Sequence, residues 1–200
     1  MITNLSIVDL INCLFIAAGI GVCVLCFLQI TSSQHLEKKV RQYFQIFFLL
    51  IILYISAPLA RELMNGLPGS GVRIALYTVT FIEMLSAGLM THMMSLLILS
   101  VTKPKKASMK IFVTLFILLC VHAVILIAGS FTDLVYHFDE ANNYGRSAGY
   151  LLSNLCPIVM LVIDMILLIR YPKSVLRSVI TAFWIYMIAP LIAVAIQAFS

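Results

Sequence analysis

The chain has 200 residues, of which 62% are hydrophobic and 10% charged, with a mean hydropathy of +1.10. Soluble domains run to roughly 45–50% apolar and about 25% charged residues, so this composition excludes a water-soluble globular fold and points to an integral membrane protein. The net charge of +5 does not argue for nucleic acid, because Lys and Arg of membrane proteins gather in cytoplasmic connections.

Six stretches reach the roughly 20 apolar residues that a helix needs to cross a bilayer: Ile7–Ile30, Tyr43–Ala60, Ile74–Val101, Ile111–Phe131, Gly149–Ile169 and Val179–Phe199. They predict an all-α, polytopic transmembrane helix bundle forming a single domain, with the lipid bilayer as its surroundings. The first run has no Lys or Arg ahead of it and no small-residue cleavage site behind it, so it reads as a span and not as a removable signal. Cys13, Cys23, Cys26, Cys120 and Cys156 all fall inside apolar runs. They read as small buried residues, and the CxxC spacing of Cys23 and Cys26 on one helix does not make a redox or metal site. Gly19 and Gly21 in the first run and Ser86-Ala87-Gly88 in the third permit close helix approach. Pro58, Pro157 and Pro190 predict kinks that neighbouring helices re-satisfy.

Counting basic residues connection by connection gives the orientation. The first, third and fifth connections hold Lys38, Lys39, Arg41, then Lys103, Lys105, Lys106, Lys110, then Arg170, Lys173, Arg177; the second and fourth hold only Arg61, Arg73 and Arg146. Positive charge marks the cytoplasmic side, so the N-terminus is expected outside. Six spans then leave Ser200 outside as well, directly after the apolar "LIAVAIQAFS". Either the protein ends abruptly at the outer surface, or these residues are the front part of a longer one in which a seventh span returns to the cytoplasm.

Ionisable groups within a membrane are costly and face protein or water, so each is a candidate. Glu83 lies in the outer half of the third span and His92 nine residues deeper, about two and a half turns away and on nearly the opposite face. Glu83 is therefore expected to meet a partner on another span, with His122 in the fourth as a candidate, either as a ligand or proton site or as a packing pair. Asp164, six residues before Arg170, and His92, with Thr91 and Ser95, read first as interhelical anchors. Four methionines of the third span, Met84, Met90, Met93 and Met94, fill the core or line an adaptable pocket.

The sequence has no Gly-rich phosphate loop, HExxH, GxSxG or Cys/His constellation at metal spacing, and Asp164 is the one Asp deep in a span. No catalytic residue, cofactor or metal is predicted for the chain. The fourth connection, "YHFDEANNYGRSAGY" at residues 136–150, concentrates polar groups. His137, Asp139 and Glu140 have cation-ligand chemistry, but groups so close in sequence splay apart. Phe131, Tyr136, Phe138, Tyr144 and Tyr150 suit the membrane interface, and Arg146 is expected to pair with Asp139 or Glu140. The loop is thus expected to cap the outer mouth of the bundle.

"HFDEANNYGRSAGYLLSNLCPIVMLVIDMILLIRYPK" followed by "MIAPLIAVAIQ" resembles the N-terminal multi-span sensor region of bacterial signalling proteins of the clostridial Firmicutes. The matching positions are Asp139, Asn143, Tyr144, Arg146, Pro190 and Gln197, and a looser similarity begins at "RQYFQIFFLLIILYISAPLARELMNG". The family's Arg is often followed by Gly-Pro; here Ser147-Ala148-Gly149 follows, so a different turn into the fifth span is expected. The resemblance implies seven spans feeding a cytoplasmic diguanylate cyclase (GGDEF) domain or a histidine kinase in a bacterial plasma membrane. No enzyme activity is expected of this chain itself; a small-molecule ligand, a covalently linked output domain and, by analogy with such outputs, a homodimer are its expected partners. The competing expectation is a small transporter or channel, which predicts broken helices and a repeat between halves; the chain has no such repeat.

Overall fold

The computed structural model describes residues 7–32, 37–102, 108–170, 184 and 188. Five long helices run in order, α1 (Ile7–Ser32), α2 (Lys38–Met64), α3 (Ser70–Thr102), α4 (Ser108–Thr132) and α5 (Tyr150–Arg170). Two short strands, β1 (Tyr136–Phe138) and β2 (Tyr144–Arg146), pair as a hairpin between α4 and α5. The shortest helix, α5, has 21 residues, about 32 Å at 1.5 Å per residue, against a hydrocarbon core of about 30 Å. All five are long and apolar enough to cross a membrane. The sixth apolar run, Val179–Phe199, lies outside the described residues apart from Trp184 and Ile188, which are helical.

Helix is the form these sequences must take in lipid, because each segment then satisfies its own backbone N–H and C=O groups. Their surfaces invert the soluble pattern. Phe15 is 74% exposed and Phe131 86%, whereas Thr80, Ser95 and Asp164 are fully buried. Apolar side chains face outward where lipid is the solvent, and polar ones turn in towards partners. Pro58 lies inside α2 and Pro157 inside α5; each lacks the N–H that the carbonyl four residues earlier would accept. Pro190 lies outside the described residues.

The chain divides into two compact units, Met1–Ser86 with Phe138–Tyr144, and Ala87–His137 with Gly145–Ser200. In the first, α1 packs on α2, with Gly19 against Ile55 and Gln45 Nε2 donating to Thr31 Oγ1 at 3.0 Å. In the second, α4 packs on α5, and the buried Tyr136 hydroxyl bonds Ser130 Oγ at 2.9 Å. Gly129 lies hard against Val135: a Cβ there would come within 2.4 Å of the valine side chain.

Most helix ends differ from the apolar boundaries, and two of them bear on the site. α2 continues to Met64 and α3 starts at Ser70, each four residues beyond the expected span. Hydropathy ends at the membrane surface, but the backbone hydrogen-bond ladder does not. Arg61 therefore stands on α2 and not in a loop.

Candidate functional site

The first polar cluster lies in the first unit, where the hairpin tip meets the turn between α2 and α3. That turn, Asn65 to Gly69, is closed by Gly66 at φ +72° and Gly69 at φ +122°, backbone conformations that side chains with a Cβ rarely adopt. Its polar groups are answered by the tip. The Gly66 N–H donates to Asn142 O at 3.3 Å, and Asn142 Nδ2 donates to Leu67 O at 2.8 Å. The Tyr144 N–H donates to Asn65 Oδ1 at 3.1 Å, and Arg73 donates to Phe138 O at 3.0 Å.

Within the tip, Asp139 accepts from the Asn143 N–H at 2.8 Å and from Asn143 Nδ2 at 2.9 Å. These bonds close the loop around Asn142, which sits at φ +63°, a region Asn tolerates because its short side chain finds local partners. Asp139 and Asn143 thus shape the turn, while Asn142 carries its buried contacts. Glu140 is exposed.

Beneath the tip lies an ion pair. Arg61 on α2 donates to Glu83 on α3, the two side chains only 18% and 17% exposed. The Arg61 guanidinium also lies 4.4 Å from the Tyr144 ring centroid. Tyr144 touches Phe138 at 5.7 Å and Phe138 touches Tyr77 at 4.9 Å, centroid to centroid. Aromatic faces next to a desolvated guanidinium add cation–π attraction to the charge pair. Glu83 has a partner on another helix, as its position required, and the cation is Arg61.

The hairpin base belongs to the second unit. His137 Nδ1 bonds Ser147 Oγ at 3.0 Å, Arg146 stacks 4.7 Å from the Tyr150 ring centroid, and the Ser147 and Gly149 N–H groups donate to Val135 O and Leu134 O. Among the described residues no group of His, Cys, Asp and Glu converges in a geometry that would hold a metal ion.

A second polar cluster occupies one face of α3 in the second unit. Gly88, His92 and Ser95 recur at helical spacing, with Thr91 beside them, and all are buried. At Gly88 the His122 ring of α4 fills the space of a side chain: a Cβ would lie 2.4 Å from His122 Cδ2. At Ser95 the hydroxyl is 2.8 Å from Asp164 Oδ2 of α5. His92 is 5% exposed and its Nδ1 has no hydrogen-bond partner among the described residues. Of the four ionisable residues singled out within spans, Asp164 therefore marks an α3–α5 bond and His122 an α3–α4 contact.

Comparison with family models, with curated proteins and with solved structures gives no match for this chain. The site must speak through its geometry. Sequence reading missed Arg61, Asn65, Arg73 and Asn142. The signals were there in part: "NGLPG" is dense in turn residues, and an Arg one residue past an apolar run extends a helix as readily as it ends a span.

Proposed function

We propose that the chain is the membrane-embedded sensory module of a bacterial signal-transduction protein, multi-pass in the plasma membrane with its N-terminus outside. Its hairpin tip is the receiving element, and a cytoplasmic diguanylate cyclase or histidine kinase, linked or associated, is the output. One observation carries this reading: the tip Phe138–Tyr144 holds the α2–α3 turn and covers the Arg61–Glu83 pair. A ligand engaging the exposed residues of the tip changes the aromatic cover of an ion pair that ties two long helices together. A shift of the tip therefore alters the relation of α2 to α3 and biases one packing over another. The bunching of Lys and Arg in alternate connections supports placing this tip outside the cell.

The test uses the native protein in its own cells, comparing wild type with Arg61→Gln and with Val124→Ile on the exposed face of α4. Arg61→Gln is expected to change cyclic di-GMP level or histidine phosphorylation at equal membrane abundance, and Val124→Ile to change neither. If removing the whole gene leaves both outputs unmoved, the signalling reading fails. The buried carboxyl of Asp164 favours a second reading, a small transporter or channel; tracer flux into vesicles that Asp164→Asn abolishes decides for it.

A further inference from the structure

Asp164 sits in α5 with no exposed surface. Its Oδ2 is 2.8 Å from Ser95 Oγ, and its Oδ1 has no hydrogen-bond partner among the described residues. No basic side chain among them pairs with it. The apolar run Val179–Phe199 contains no charged residue and no histidine, so that run brings no countercharge either. Among the described residues a carboxylate here has one neutral hydroxyl to replace a full hydration shell, which is a heavily penalised state.

Counting hydrogens gives a second, independent constraint. Ser95 Oγ lies 2.8 Å from Asp164 Oδ2 and also 3.0 Å from Thr91 O. A hydroxyl has a single hydrogen to donate, and a backbone carbonyl only accepts. Short of one hydrogen shared weakly between two acceptors, both contacts are full hydrogen bonds when the second hydrogen belongs to Asp164. We propose that Asp164 is a proton-binding site, a neutral carboxylic acid donating from Oδ2 to Ser95 Oγ, which donates in turn to Thr91 O. The proton thereby joins α5 to α3. When it leaves to solvent water, the Ser95 hydrogen turns from Thr91 O to the carboxylate, Thr91 O loses that partner, and one contact between helices replaces a chain of two bonds.

Among the described residues the titratable groups on the surrounding elements are few. α3 offers His92, one turn from Ser95 on the same face; α4 offers His122, lodged at Gly88 two turns from Ser95, and the exposed Cys120. α5 itself offers Cys156, buried, and Arg170, exposed at the helix end. This inference does not depend on the signalling reading and holds equally for a transporter.

Infrared spectroscopy of the full chain in lipid vesicles at neutral pH tests it. A carboxylic-acid C=O band is expected that shifts in heavy water and shifts again when aspartate is labelled with 13C at the side-chain carboxyl, a measurement on wild type that needs no variant to fold. The band is expected to be lost in Asp164→Asn and to move to higher wavenumber in Ser95→Ala, where the acid has lost its acceptor. Absence of the band from wild type overturns the proposal, as does a band indifferent to aspartate labelling. A thermal midpoint that rises with Na+ while no acid band is present also overturns it, in favour of a bound metal ion.

Discussion

Glu83 lies against Arg61 with less than a fifth of either side chain exposed, so the pair is far more than a surface ornament. Glu83→Gln leaves a guanidinium largely desolvated without its countercharge and is expected to cost about 2–4 kcal/mol, less than the deepest pairs because some solvent reaches it. Arg61→Met combined with Glu83→Met is expected to recover most of that loss, since neither charge then remains to be desolvated. Denaturation of the single and double variants in micelles checks both expectations. Gly88 makes a sharper case. Ala there collides with the His122 ring, and overpacking of this kind costs typically about 1–3 kcal/mol. Gly88→Ala is expected to lower the thermal midpoint, and His122→Ala added to it to restore part of the loss by vacating the space. Sequence alone identified Glu83 and His122 as residues in need of partners, because ionisable groups stand out in an apolar run. It could not assign those partners: Arg61 had been counted with a connection, and the requirement for a residue without Cβ at Gly88 comes from a side chain 34 positions away in the chain.

At the level of elements, the hairpin departs most from expectation. Its strands have three residues each, too few for an alternation of apolar and polar residues to announce them. Its bonds to the α2–α3 turn join positions more than sixty residues apart, which local sequence rules do not reach. The loop's aromatic and charged content stood out in the sequence; that Asn142 would tie it to the α2–α3 turn did not. Asn142→Ala removes the donor to Leu67 O and strains a backbone at φ +63°, and is expected to cost about 1–2 kcal/mol of local stability. Amide exchange at Gly66 and Tyr144 should then quicken by an order of magnitude. Asn142→Gly keeps the backbone conformation while losing the side-chain bond, so a smaller acceleration is expected.

For the whole molecule, composition alone was enough to anticipate an all-helical membrane protein, because lipid leaves a chain this apolar few other options. The five described helices match five of the six expected spans, four of them extended by two or more residues and α5 shifted by one. The division into two units was not legible, since it falls within α3 between Ser86 and Ala87, where neither composition nor helix changes. The expected topology leads to a direct measurement. With the five native cysteines replaced, Ala141→Cys should react with a membrane-impermeant maleimide added to intact cells. Lys39→Cys should react only after the membrane is opened. The reverse pattern would invert the proposed orientation and place the hairpin in the cytoplasm.

The bond from Asn142 to Leu67 spans 75 residues of chain. A ribosome adding about 5–20 residues per second takes roughly 4–15 s to make that stretch. During this interval the α2–α3 turn is already synthesised and waits without its clamp, so the cap is a late event in biogenesis. Truncated nascent chains ending before Asn142 would therefore lack the group that bonds Leu67 O and leave that carbonyl to water.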